Sequence, residues 1–195
     1  MLAVLLALAL VQSCAKEPHT PSQNQAAPMT DPCKDALTRF ANQDWLTWDG
    51  LPTCSLDDVK AIFPALSDAN GQARIGTKPV TTEFKTLPLD GFKKPIKVWY
   101  RGSDVVMLEV EYPTVEDPAA AFAALGEPAA KLDYHQRTVL YAASAYVYPK
   151  RGIAVLFNPD QSAVIRIYLF AATELDEYQK TLHHPTAPAR RLPRR

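Results

Sequence analysis

Residues 96–112 read Ile96-Lys97-Val98-Trp99-Tyr100-Arg101-Gly102-Ser103-Asp104-Val105-Val106-Met107-Leu108-Glu109-Val110-Glu111-Tyr112. β-Branched and aromatic residues stand on both sides of a Gly-Ser-Asp break, which is the pattern of two antiparallel strands, 96–101 and 105–112, joined as a hairpin. Working outward, 80–87 shows the same period of two. Downstream, 138–148, 152–157 and 163–170 read as strands joined by turns at Pro149-Lys150-Arg151 and Asn158-Pro159-Asp160-Gln161-Ser162.

Helical periodicity fills the intervals. Asp31-Pro32 reads as an N-cap with proline at the first helical position, opening a helix with Ala36, Leu37, Phe40 and Ala41 on one face and an end near Asn42. Ser55-Leu56-Asp57-Asp58 resembles a capping box for a short helix with Leu56, Val59, Ile62 and Phe63 inward, limited by Pro64. Asp117-Pro118 caps a third helix with Phe122 and Leu125 inward. A fourth follows Thr173, with Asp176 three positions on and Leu175, Tyr178 and Leu182 inward. Between the first two helices Trp45 and Trp48 lie in a loop-like stretch expected to pack down on the core. The fold class is therefore α+β, short helices on an antiparallel sheet, and a helix-then-three-strands unit recurs in two candidate halves, 31–113 and 114–182.

With 47% hydrophobic and 22% charged residues in 195, the chain has material for one domain, placed at 31–182. Basic and acidic residues balance at 21 each, so no global field draws it to nucleic acid. The balance is uneven. One charge of each sign in 1–30, and four arginines without an acid in 183–195, leave 16 basic against 20 acidic residues in 31–182. Prolines 185, 188 and 193 mark 183–195 as a disordered basic tail, able to touch anionic lipid or an acidic partner.

The N-terminus carries the localisation signal. Residues 2–11 are all Leu, Ala or Val, as long as the apolar region of an export signal and too short for a membrane span of ~20 residues. Val11-Gln12-Ser13-Cys14 resembles the bacterial lipobox. That resemblance implies cleavage after residue 13, lipidation of Cys14 and a membrane contact through the lipid, and Ala15 in place of aspartate implies the outer membrane, facing the periplasm. The alternative is an apolar N-terminal strand or helix with a buried cysteine. Residues 15–30 contain three prolines and little apolar surface, so 14–30 reads as the lipidated N-terminus and a disordered tether with a reach of roughly 20 to 25 Å.

Two further cysteines, Cys33 and Cys54, form an even pair that in an exported domain reads as a disulfide, closing a loop whose entropy is worth about 3 kcal/mol. A metal pair or a nucleophilic thiol is the alternative, without a Cys-x-x-Cys or nearby histidine to support it. Gly50-Leu51, Ser55 to Phe63 and Ala120 to Pro128, with the strands after them, resemble the helix elements of two groups: the small lipoproteins of outer-membrane assembly and the β-lactamase inhibitory proteins. The latter are tandem repeats.

Catalytic patterns are sparse. His135 in Asp133-Tyr134-His135 is a candidate general base, read as a solvated turn histidine; Ser144 lacks a Gly-x-Ser-x-Gly elbow; Glu109 and Glu111 share a strand face, read as solvated rather than as an acid/base pair. No phosphate loop, cofactor motif or metal-binding histidine pair is present. Tyr100, Tyr112, Tyr134, Tyr141, Tyr146, Tyr148 and Tyr168, with Trp99, are core residues or interface anchors, and Lys150-Arg151 is a basic tip between strands. The expectation is a non-catalytic envelope lipoprotein, without cofactor, that binds a protein of the envelope. The alternatives are a secreted inhibitor or immunity-type protein, and an envelope hydrolase with a scattered site.

Overall fold

The computed structural model describes residues 31–135, 142–158 and 160–183, with the side chains of 133–135, 142 and 143 left out. The segments read as a signal (1–13) and a tether (15–30), the expected lipidation site Cys14, and residues 184–195 lie outside the described residues, as does Tyr141.

Four helices and an eight-stranded antiparallel sheet make up the described fold: α1 (Pro32–Ala41), α2 (Leu56–Ile62), β1 (Gly71–Ile75), β2 (Val80–Leu87), β3 (Ile96–Arg101), β4 (Asp104–Glu111), α3 (Pro118–Ala123), β5 (Ala130–His135), β6 (Ala142–Tyr148), β7 (Ile153–Phe157), β8 (Val164–Phe170) and α4 (Leu175–Thr181). The sheet order is β1-β2-β3-β4-β8-β7-β6-β5. Two meanders thus meet through their last strands, with Leu108 opposite Leu169 and Val110 opposite Ile167 at the seam.

Each meander has four strands where the sequence predicts three. The added ones, β1 and β5, are the two edges, and their residues Gly71-Gln72-Ala73-Arg74-Ile75 and Ala130-Lys131-Leu132-Asp133-Tyr134-His135 carry too few β-formers to be legible alone. An edge strand needs apolar residues on one face at most, so its composition drifts toward that of a loop. His135, expected in a turn, is the last residue of β5, paired with Ala142. The β3–β4 hairpin turns on Gly102-Ser103 alone, because Asp104 already pairs with Arg101. A shift in register between Trp99 and Tyr100 leaves Val106 without an opposite residue, a bulge of the kind that bends a strand.

The caps follow the sequence closely at three helices. Asp31 accepts from the Cys33 amide at 2.9 Å, the Ser55 hydroxyl and Asp58 carboxylate make a reciprocal capping box, and Asp117 accepts from the Ala120 amide at 3.2 Å. At α4 the expected cap is displaced. The N-cap residue is Glu174, with no side-chain hydrogen bond, while the Thr173 amide donates to the Pro149 carbonyl.

Both sheet faces are packed. One meets α1, α2, α3 and the tryptophan loop, burying Leu37, Phe40, Trp48, Val98, Leu108 and Leu169 in one cluster. The other buries Trp99, Met107, Leu156, Tyr168 and Phe170 together with Tyr178 of α4. Central strands are therefore apolar on both sides: all five residues of β7 are buried, and Met107 and Leu108 of β4 are buried on opposite faces. His183, expected in the tail, is buried, with its amide donating to the Tyr178 carbonyl and its own carbonyl accepting from Gly76.

Candidate functional site

An open cleft at one end of the sheet

The tryptophan loop is held in place by polar contacts as well as by burial. Trp48, fully buried, donates its indole N–H to the Gly152 carbonyl at 3.1 Å. Arg151 answers from the 3-10 turn Pro149–Arg151, donating to the Trp48 carbonyl at 3.2 Å and to the Leu46 carbonyl at 2.6 Å. The basic tip is thus a clasp on the loop, and Lys150 beside it is ion-paired with Glu174. Gly152 has φ +61°, and a Cβ there would lie 2.0 Å from the Phe170 carbonyl oxygen, so only glycine lets the turn pack against β8.

Fastening this loop leaves its far side, Asp49 to Cys54, standing opposite the β3–β4 hairpin. Cys54 is joined to Cys33 in α1 by a disulfide, with the two Cα atoms 5.5 Å apart. The cysteine pairing expected from the sequence is therefore present in the structure. The Val105 amide donates to the Cys54 carbonyl at 2.9 Å, tying the same segment to β4. Beyond Phe170 the chain turns from β4 toward Gly50 and Leu51, the Leu51 amide donating to the Phe170 carbonyl at 2.8 Å.

The separation opens a cleft of about 910 Å³ between the first turns of α1, the 49–54 loop, the start of β4, the 171–173 connection and the end of α4. Its volume falls in the range of natural ligand sites. Apolar lining comes from Leu51, Pro52, Val105, Val106, Ala172 and Leu182. The charged lining is Asp35, Arg39, Asp49, Arg101 and Asp104. Both arginines are engaged. Arg39 donates to the Thr47 carbonyl and pairs with Asp49 at 3.1 Å; Arg101 donates to Thr82 Oγ1 at 3.0 Å and to the Thr181 carbonyl at 2.6 Å. Burial holds the Arg101 guanidinium below its ordinary pKa, partly offset by the charge of Glu177. Asp35 and Asp104 are exposed and make no ion pair with the described residues.

A charged cluster on the opposite face

Glu109 and Glu111 do share a face, as the strand period requires, but it is not a solvated one. Glu109 is 3% exposed and accepts from Trp99 Nε1 at 2.8 Å and from Lys97 Nζ at 3.2 Å, with Arg166 Nε at 3.5 Å. Glu111 accepts from Lys97 Nζ at 2.8 Å and faces Arg166 at 3.3 Å. Burial pushes the Glu111 pKa up, yet the Lys97 hydrogen bond and the charges of Arg166 and Lys97 outweigh it and hold the carboxyl below its ordinary value. For Lys97, burial pulls the pKa down and is outweighed by Glu109 and Glu111, leaving it raised. Two carboxylates matched by two cations form a neutral cross-strand cluster. A general acid would need one carboxyl kept protonated at neutral pH, the opposite of what the cations do to Glu111.

The remaining sequence candidates do not converge on this cluster. Ser144 lies in β6 opposite Asp133 of β5, and His135 is two residues further on, at the outer edge of the sheet. Trp99, Tyr100, Tyr148 and Tyr168 are buried core, whereas Tyr112 is 47% exposed, with φ +52°. The cleft was missed in the sequence because its walls come from segments up to about 150 positions apart, none carrying a motif.

No protein-family profile, curated protein or solved structure matches this chain. Among the described residues no group of three or more His, Cys, Asp or Glu could hold a metal, and no helix is long and apolar enough to cross a membrane.

Proposed function

We propose that this chain is a non-catalytic, lipid-anchored protein of the bacterial cell envelope that binds a segment of another envelope protein in the cleft beside Cys54. The observation that carries the reading is the cleft: about 910 Å³, open, lined by apolar residues, three aspartates and two arginines that are already engaged. Its volume is within the range of natural ligand sites, and its mixed lining suits a partner segment that brings apolar and basic side chains together.

The cysteines supply the compartment. A pair buried at 4% and 1% exposure and joined across the cleft wall suits an oxidising environment such as the periplasm. Lipidation of Cys14 supplies the membrane contact, and Ala15 favours the outer membrane. The expected helix-then-three-strands repeat stays a proposal: each half has a four-stranded meander, but two helices precede the first and one precedes the second. A secreted inhibitor or immunity-type protein would use a sheet face, without the lipid, so Cys14 separates the two readings. The envelope hydrolase is the weaker alternative, since its acidic pair is committed to Lys97 and Arg166.

The test is intact mass and membrane fractionation of the protein made in a bacterial host, comparing wild type with Cys14→Ser. The expected wild-type product begins at Cys14, carries acyl chains and sediments with membranes, and the variant is released. Photo-crosslinkers placed at Thr53 and Ala172 should then join an envelope protein. An unprocessed, soluble wild type removes the lipoprotein reading, and crosslinkers that react only with solvent remove the cleft as the binding surface.

A further inference from the structure

Asn70 stands immediately before Gly71, whereas Asn24, Asn42 and Asn158 precede Gln25, Gln43 and Pro159. An asparagine followed by glycine is the pairing most open to cyclisation, because a neighbour without a Cβ leaves its backbone nitrogen accessible to the side-chain carbonyl carbon. Packing requires the glycine here. A Cβ on Gly71 would lie 2.2 Å from Phe84 Cζ, and the Phe84 ring is itself packed on Trp99 at a centroid separation of 4.7 Å.

The surroundings favour the reaction. Asn70 is exposed and lies outside regular structure at the entry to the edge strand β1, and Gly71 pairs with Phe84 at the outer end of the β1–β2 ladder. End pairs of an edge strand open more readily than central ones, which frees the Gly71 nitrogen. Lys85 Nζ donates to Asn70 Oδ1 at 2.7 Å and to the Asp68 carbonyl at 3.0 Å. A positive charge is thus held on the oxygen that becomes negative when Asn70 Cγ is attacked, the arrangement that stabilises an oxyanion.

We propose that Asn70 is a site of spontaneous deamidation assisted by Lys85. The Gly71 nitrogen forms a bond to Asn70 Cγ and gives its proton to solvent; the bond from Cγ to Nδ2 breaks, and the side-chain nitrogen takes a proton from solvent and leaves as ammonia. One water then opens the five-membered imide. Opening at the side-chain carbonyl leaves aspartate at position 70, and opening at the main-chain carbonyl leaves isoaspartate, so the sum is amide plus water giving acid plus ammonia. Aspartate turns the hydrogen bond from Lys85 into an ion pair. Isoaspartate lengthens the main chain by one methylene just before Gly71 and detaches the first pair of β1.

The test ages the full chain at mildly alkaline pH, folded and in urea, and follows position 70 by peptide mapping with isoaspartate detection. Folded wild type should convert at Asn70 while Asn42 and Asn158 keep their amides. Lys85→Met should slow the folded reaction about fivefold, a modest share of what an oxyanion donor contributes in a dry site, and Lys85→Arg should restore it. In urea, where Lys85 is no longer held on Asn70, the three proteins should convert at one rate. Conversion in urea with none in the folded protein overturns the proposal, since the fold then protects the site. Folded Lys85→Met that converts as fast as wild type, or faster, overturns the assistance, since the hydrogen bond then only restrains the side chain.

Discussion

At Glu109 a carboxylate lies almost fully buried on a sheet face, which would be prohibitive without the Trp99 indole and the Lys97 and Arg166 cations around it. Removing one cation should therefore cost more than the pair itself is worth. Lys97→Met is expected to destabilise the protein by about 3 kcal/mol, read from urea unfolding at neutral pH. The pH dependence has a definite sign. Glu111 is held below its ordinary pKa, so its contribution is complete above the unfolded carboxyl value of about 4.3 and is lost as pH falls through the lowered folded value. Lys97 is raised, so its contribution is complete below about 10.4 and is lost as pH climbs through the folded value. Stability should accordingly sag at both extremes, and Glu111→Gln should flatten the acid limb; an unchanged acid limb in that variant would show that other carboxyls govern it.

Among the elements, α1 is the one most dependent on covalent help. It is ten residues long, a marginal length for an isolated helix, and it buries Cys33, Ala36, Leu37 and Phe40 in a cluster shared by the sheet and by a loop that has no regular structure of its own. The disulfide to Cys54 and the Arg151 clasp on Leu46 and Trp48 hold that loop from opposite ends. Replacing both cysteines, Cys33→Ala with Cys54→Ala, should cost about 3 kcal/mol, the entropy of the loop it closes. Because α1 and the 49–54 loop form two walls of the cleft, hydrogen exchange should rise first there, and much less in β3, β4, β7 and β8. A uniform rise would mean that the bridge stabilises the whole fold rather than this corner.

For the whole molecule the decisive feature is the seam. The two meanders share one strand pair, β4 with β8, and core clusters continue across it on both faces, Leu108 and Leu169 on one, Met107 and Phe170 on the other. Such continuity makes one cooperative unit. Leu169→Ala should lower stability by roughly 2–5 kcal/mol and lower the protection of slowly exchanging amides equally in β3 and β7. Loss confined to one meander would instead establish two separable halves. What the sequence determined by itself was local: the helix caps at Asp31, Ser55 and Asp117, the six central strands with their runs of β-branched and aromatic residues, the inward tryptophan loop and the cysteine pairing. Each depends on neighbours within a few residues or, for the cysteines, on an even count of two after Cys14, and so leaves a direct trace in composition or period. Only the tertiary structure decided the rest. The edge strands β1 and β5 exist because a partner strand supplies hydrogen bonds their own residues do not advertise. Glu109 and Glu111 became an ion-pair cluster because β3 and β8 bring Lys97 and Arg166 beside them, and the cleft arose where β8 turns away from β4, a choice made by packing between segments distant in the chain.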